Sequence, residues 1–221
     1  MIPVVIMCGG QGMRLHPLTE THPKPLFKVG GKAILEQIIE GFVAQGFRKF
    51  WLCVNYRAGL IEKHFGSGIN GCKIKYVHEA EPLGTAGALR MLPKFDTPFI
   101  VSNGDVLTKI TYGNLMETHA RANTQITVCL ALHQHQLPFG VARFEGDRFV
   151  GVDEKPIQSV LVSAGIYVLD PSTVALIPDG RFDMPDLIGK CDRLAYYPIE
   201  DSWFDVGNFV DLARANNEWN Q

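Results

Sequence analysis

Short apolar runs alternate with helix-spaced apolar positions through the first hundred residues, a pattern that predicts repeated strand–helix–strand units and a largely parallel sheet. The runs predict strands over 2–7, 47–55, 73–78 and 98–102. Between the first two, Ile34, Leu35, Ile38, Ile39, Phe42 and Val43 recur at three- and four-residue steps, so one stripe of a helix ending near Gly46 faces the sheet. Beyond about residue 124 the rhythm shortens. Strands are predicted at Gln125–Leu132, Val141–Phe144, Phe149–Asp153 and Val162–Leu169, followed by one clear helix, Phe209–Trp219. No repeat, low-complexity tract or Pro/Gly/Ser-rich linker divides the chain. It reads as a single domain, 1–221, whose second half elaborates the substrate side, and a first strand starting almost at Met1 leaves room for it to be one domain of a longer protein.

Composition narrows the class. With 46% hydrophobic and 20% charged residues over 221 positions, the chain can bury a sizeable core. Its 21 basic and 23 acidic residues nearly cancel and form no block of like charge, which argues against a nucleic-acid partner. The five cysteines, Cys8, Cys53, Cys72, Cys129 and Cys191, contain no CxxC pair and sit in or beside apolar runs, so they read as buried free thiols. The stretch Met1 to Met7 lacks a basic flank and is too short for a signal peptide or a membrane span. No membrane partner and a cytoplasmic location are the expectation.

Candidate chemistry concentrates where the first strand ends. Val4-Val5-Ile6-Met7 runs into Gly9-Gly10-Gln11-Gly12-Met13-Arg14-Leu15-His16-Pro17-Leu18-Thr19. Glycines after a strand let bare backbone N–H groups approach phosphate oxygens with no Cβ in the way. Arg14 follows with a forked guanidinium able to grip a polyphosphate at two points, and Lys24 lies in the stiff run Pro23-Lys24-Pro25-Leu26. A dinucleotide GxGxxG and a Walker loop both fail on spacing. A lone glycine-rich turn is more often just a surface turn; the two cations at these offsets shift the balance. Asp105 ends the apolar run Phe99-Ile100-Val101-Ser102 through Asn103-Gly104, at the carboxyl end of a predicted parallel strand, where such sheets bind ligands. The competing reading of Asn103-Gly104 is a plain hairpin turn.

These residues resemble the sugar-1-phosphate nucleotidyltransferases, whose signature GGxG[ST]RLxPLT is followed by PKPL. The resemblance extends in order through Glu81-Pro82-Leu83-Gly84-Thr85-Ala86-Gly87-Ala88-Leu89, Asn103-Gly104-Asp105, Glu154-Lys155-Pro156, Ala164-Gly165-Ile166-Tyr167-Val168 and Trp203-Phe204-Asp205-Val206-Gly207. Within that family the pattern is most similar to GDP-mannose- and GDP-glucosamine-type enzymes. The resemblance implies a Rossmann-like three-layer α/β sandwich with a mostly parallel mixed central sheet, glycosyltransferase-A-like. It implies transfer of a nucleoside monophosphate from an NTP, GTP favoured, to a sugar 1-phosphate, with Mg²⁺ as cofactor.

Residue by residue, the resemblance implies that Arg14 holds the β and γ phosphates and Lys24 neutralises charge at the attacked α-phosphate. Asp105 and Asp205 would be the metal ligands, hard carboxylates that suit Mg²⁺. Gly9, Gly10 and Gly12 would cradle phosphate, and Glu81, Gly84 and Asn103 would contact the nucleotide. On the sugar side it places Gly140, Glu154, Lys155 and Ser163, with Lys155 on the sugar phosphate and Glu154 accepting from hydroxyls. The mechanism is a single in-line displacement in which positioning and charge neutralisation supply most of the rate.

Three positions depart from the family pattern: Met13 replaces the usual Thr or Ser, Ser163 the common Asn, and Cys8 a small Ala. His133 and His135 share a strand face but lack a third ligand, so they are not taken as a metal pair. Trp203 and Trp219 read as packing residues. Two alternatives stand beside the main reading: a uridylyltransferase acting on N-acetylmuramic acid 1-phosphate or a related sugar, and a non-catalytic nucleotide-sugar-binding regulatory module. A homo-oligomer or a fused regulatory domain is compatible with the resemblance.

Overall fold

The computed structural model describes residues 1–219. In chain order the strands are β1 Pro3–Met7, the small hairpin β2 Lys28–Val29 and β3 Lys32–Ala33, β4 Lys49–Val54, β5 Lys73–His78, β6 Phe99–Asn103, β7 Val106–Thr108, β8 Ile126–Gln136, β9 Val141–Glu145, β10 Arg148–Asp153, β11 Ile157–Leu169, β12 Leu194–Ile199 and β13 Trp203–Asp205. The helices are α1 Ile34–Ala44, α2 Ala58–Phe65, α3 Tyr112–Ala122, α4 Met184–Gly189 and α5 Phe209–Glu218.

A seven-stranded sheet in the order β12-β8-β11-β6-β1-β4-β5 forms the centre. β11 runs antiparallel to both its neighbours, and the other pairings are parallel, so the sheet is mixed but mostly parallel. Alternation along each inner strand sends side chains into two cores. Val4 and Ile6, Phe50 and Leu52, and Ile100 pack on the side that carries α1, α3 and α5. Val5, Trp51 and Cys53, Phe99 and Val101 pack on the side that carries α4 and the 86–89 turn. The result is a three-layer sandwich. The stripe read from sequence on α1 is the buried one: Ile34, Leu35, Ile38, Ile39 and Phe42 face inward, and Phe42 stacks on Tyr112 of α3 with ring centroids 3.8 Å apart.

The second half differs in extent from the pattern-based expectation. β8 continues to Gln136 and β11 begins at Ile157, because the two strands keep pairing beyond the sheet, Gln136 opposite Ile157 and Leu132 opposite Leu161. With the β9–β10 hairpin at its end, this pair forms an arm reaching past the sandwich. The thiols of all five cysteines are free and buried. Among the described residues no helix is long and apolar enough to cross a membrane.

Candidate active site

The chain leaves β1 toward β4 on one side and returns to β6 on the other, so the loops after β1 and β6 diverge at a switch in strand order. Met7 and Asn103 are register partners at that point. Between the loops opens a cavity of about 370 Å³, walled by Gly10, Gly12, Met13, Arg14, Lys24 and Asp105.

Its glycines are not equivalent. Gly12 has φ +64°, and a Cβ there would fall 2.9 Å from Thr19 Cγ2. Thr19 is buried and donates its hydroxyl to the Gly12 carbonyl at 3.2 Å, which locks the turn that starts Met13–Leu15. A methyl added at Gly10 would meet nothing within 4 Å, so this glycine is open toward the cavity.

Lys24, 7% exposed, donates through Nζ to Asp105 Oδ2 and lies 3.9 Å from Asp205 Oδ1. The two aspartates are joined by a ribbon: β7 pairs antiparallel with β13, Val106 opposite Asp205. That pairing also decides between the two readings of Asn103-Gly104, since β6 continues into β7 without pairing with it and no hairpin forms. Gly104 instead tucks its N–H onto the Met7 carbonyl at 2.9 Å. Arg14 reaches the same place from the opposite wall: a Cβ on Gly207 would fall 3.4 Å from both of its terminal nitrogens.

Asp205 Oδ1 is buried and has no hydrogen-bond partner. Burial, then the Asp105 carboxylate, pushes the Asp205 carboxyl above the usual range, while Lys24 and Arg14 pull it back. An orphaned carboxylate oxygen beside a second carboxylate is the donor set a hard divalent cation takes, with its remaining oxygens supplied by water and phosphate. Cys8, at the rim, is not a nucleophile: burial pushes its thiol well up and keeps it protonated.

A second cavity of about 310 Å³ shares Met7, Gly10 and Asp105 with the first and continues to Gly9, Glu79, Gly84, Asn103 and Asp183. Gly84, at φ +79°, leaves no room for a side chain, with Asp183 Oδ1 and the Phe182 carbonyl each 2.6 Å from its would-be Cβ. Thr85 donates its N–H to Asp183 at 2.9 Å, so the 84–87 loop is clamped to the 180–184 loop. Glu79 is a wall residue that no motif singles out. It is 7% exposed, one oxygen accepts the Leu83 N–H at 3.0 Å, and the other lies where a Cβ on Gly9 would sit, 2.6 Å away. Burial pushes its carboxyl up. Glu81, the residue singled out from the loop motif, is exposed and lines neither cavity.

Gly140, Glu154 and Lys155 lie on the arm, Ser163 lies within the sheet at its base, opposite Leu130, and all four are absent from both cavity walls. Gly140 faces Glu154, whose Oε2 would be 3.2 Å from a Cβ there. Lys155 holds φ +45°, a left-handed conformation unusual for a lysine, and its carbonyl accepts from Gln136 Nε2 at 3.1 Å. Ser163 hydrogen-bonds the Tyr167 hydroxyl at 2.8 Å across a bulge in β11. His133 and His135 stack with centroids 6.2 Å apart, and among the described residues no group of three or more His, Cys, Asp or Glu gathers as a metal site. Both tryptophans are tied into packing, Trp203 to the Ala164 carbonyl at 3.0 Å and Trp219 to Gln37 at 2.6 Å.

The family model described as nucleotidyl transferase matches residues 3–221. A mannose-1-phosphate guanyltransferase of Yarrowia lipolytica is 36% identical over 94% of this chain and 61% of its own length. The mannose-1-phosphate guanylyltransferase catalytic subunit beta of Danio rerio is 35% identical over 94% of this chain and 62% of its own. The chain thus spans about three fifths of the curated relatives it matches. Among solved structures, HddC from Yersinia pseudotuberculosis superposes with a TM-score of 0.79 at 24% identity, covering 99% of this chain and all of HddC, and so shares the fold. The same protein complexed with GMP-PN gives a TM-score of 0.79 at 23% identity.

Proposed function

The chain belongs to the nucleotidyl transferase family, and we propose that it transfers a nucleoside monophosphate from GTP to the phosphate oxygen of a sugar 1-phosphate, releasing pyrophosphate. One observation carries the reading: Arg14, Lys24 and Asp105 wall a single cavity beside a glycine-lined backbone, and Asp205 lies 3.9 Å from the same Lys24 ammonium.

In this cavity the backbone around Gly10 and Gly12 receives the triphosphate, and Arg14 grips the departing pyrophosphate with its fork. Lys24 sits deepest, where its charge offsets the negative charge that accumulates at the α-phosphorus during in-line displacement. Asp105 and Asp205 are the residues that would hold Mg²⁺, which when bound neutralises and orients phosphate oxygens. Lys24 also keeps these carboxylates from repelling each other when no cation is bound. Lys155 and Glu154, at the arm, hold the phosphate and hydroxyls of the sugar. No enzyme nucleophile is needed. The reaction makes one phosphoanhydride as it breaks another and so runs readily in both directions.

The second cavity supports GTP. Its buried polar wall is Glu79, an acceptor-only group when ionised. Guanine presents two adjacent donors, N1–H and the N2 amino group, whereas uracil and thymine present one donor between two acceptors. A buried acceptor left without its donor discriminates strongly, so this wall favours guanine. The names of the curated relatives add mannose 1-phosphate as the first sugar to test. A matrix of the four common NTPs against mannose, glucose, glucosamine, N-acetylglucosamine and N-acetylmuramic acid 1-phosphates, read by pyrophosphate release, tests the assignment. Release with GTP and one hexose phosphate is expected; nucleotide binding without release from any pair would replace the enzyme with a nucleotide-binding regulatory module.

A further inference from the structure

The loop that leads into α4 is pinned on both sides of one arginine. At its start Asp179 is ion-paired with Arg90. At its end Phe182 donates its N–H to the Leu83 carbonyl at 2.9 Å, and its own carbonyl accepts the Ala86 and Gly87 N–H groups at 3.0 Å each. Asp183 Oδ1 accepts the Thr85 N–H, and Met184 donates its N–H to the Thr85 hydroxyl at 2.7 Å. Arg181 lies between these anchors, so its backbone position is fixed at the edge of the second cavity.

Among the described residues that line this cavity, Arg181 is the one cation, in company with Glu79, Asp105 and Asp183. Its side chain is 73% exposed, and its ion pair with Asp183, Nη2 to Oδ2, spans 3.6 Å, too long for a hydrogen bond. The donors of its fork therefore remain available to a ligand. Arg14 and Lys24 wall the first cavity and not the second, so the polyphosphate has its own cations elsewhere.

We propose that Arg181 determines base specificity: its guanidinium donates to the acceptor edge of guanine, O6 and N7, while Glu79 accepts from N1–H and the N2 amino group. The inference rests on the guanine reading given above and names a second residue that delivers it. Guanine alone among the common bases sets two acceptors side by side on one edge and two donors on the next, and a planar fork matches two adjacent acceptors at once. Adenine turns an amino donor toward the same fork, and uracil offers it a single oxygen. A mismatched base thus forfeits contacts to both residues. Donor and acceptor come from separate segments: Glu79 stands against Gly9 and Leu83, whereas Arg181 is carried by the loop clamped to Gly84 and Thr85. The cavity of about 310 Å³ that both line has room for a purine ring.

Calorimetric titration of the whole chain in Mg²⁺ tests this, with GTP, ITP, UTP and 7-deaza-GTP and no sugar phosphate, so that no turnover intervenes. The unmodified chain is expected to bind 7-deaza-GTP, which lacks N7, about 10-fold more weakly than GTP, and ITP, which lacks the N2 amino group, more weakly as well. Arg181→Ala should weaken GTP binding by about 10-fold or more and erase the 7-deaza difference, while the ITP difference stays. Arg181→Lys keeps the charge without the fork and should likewise bind GTP and 7-deaza-GTP alike. A 7-deaza difference missing from the unmodified chain, one kept in full by Arg181→Ala, or an ITP difference lost along with it overturns the assignment of Arg181. UTP bound as tightly as GTP by the unmodified chain overturns the guanine reading itself, and the role of Arg181 with it.

Discussion

Val206 donates its backbone N–H to the carbonyl of Asp105 at 3.1 Å. That bond extends the β7–β13 ribbon and sets two carboxylates, a hundred residues apart in sequence, against one buried lysine. The geometry of the candidate centre is therefore a backbone property, and side-chain substitutions within it should change charge without moving the frame.

Asp205→Asn is expected to lower metal-dependent turnover by at least about 100-fold while leaving circular dichroism unchanged. Measured without divalent cation, its thermal midpoint should equal or exceed that of the unmodified chain, because the substitution removes a desolvated carboxylate whose Oδ1 has no partner. A clear drop in midpoint would mean that the oxygen is structurally engaged.

Lys24 and Asp105 should behave as a coupled pair. Lys24→Met strands a carboxylate beside a second one and should destabilise by about 2–4 kcal/mol, as well as removing activity. Adding Asp105→Asn to it should return most of that stability and none of the activity. Denaturant unfolding of the four chains in the cycle gives the coupling; additive effects would show that the contact is not formed in solution.

Gly12→Ala and Gly10→Ala separate a structural glycine from a functional one. At Gly12 a methyl meets Thr19 at 2.9 Å from a left-handed backbone, so a loss of about 1–3 kcal/mol is expected. At Gly10 a methyl meets no protein atom within 4 Å, so stability should hold while the KM for the nucleotide rises. An unchanged KM in Gly10→Ala would take that backbone out of the phosphate cradle.

Much of this architecture is legible in residue order. β1, β4 and β6 are nearly continuous apolar runs buried on both faces, β5 alternates at the sheet edge, and α1 is a clean stripe, so each lies within about two residues of the bounds its pattern predicts. α3 escapes a pattern reading because its eleven residues bury only Tyr112, Leu115 and His119 on an otherwise polar helix. β12 alternates at the opposite edge, and its short run Leu194-Ala195-Tyr196-Tyr197 is cut by Pro198, which reads as an edge or a non-strand position. The ribbon of β7 and β13 is three residues long on each side, and its pairing is a tertiary fact with no local signal. In the site, Arg14, Lys24 and Asp105 follow from motif order, but Glu79 and Glu81 carry the same side chain two positions apart in one loop, and only burial separates them.

Glu79→Gln tests both base reading and linkage. Burial raises the folded-state carboxyl above its unfolded value, so the folded chain holds the proton more tightly and loses stability as pH rises from the ordinary glutamate range, about 4.3, through the folded pKa. The glutamine variant lacks this loss. Its stability advantage should be near zero in mild acid and grow toward neutral pH, a trend that urea midpoints at several pH values would show. Glutamine offers both a donor and an acceptor, which suits uracil, so the GTP-over-UTP ratio of kcat/KM should fall at least about tenfold. A constant ratio would place the base elsewhere.

Lys155 combines an unusual backbone with a proposed role, and the two can be pulled apart. Its φ of +45° is a conformation that glycine adopts without cost, so Lys155→Gly should hold or gain stability by about 1 kcal/mol, whereas Lys155→Ala should not. Both variants lack the ammonium group and should raise the KM for the sugar 1-phosphate by a similar factor while leaving that for the nucleotide near its original value. The sugar-phosphate KM therefore tracks the charge and the unfolding free energy tracks the backbone. If the alanine variant alone lost affinity, the loop's conformation rather than its cation would be what the substrate reads, and the assignment of the sugar phosphate to Lys155 would fail.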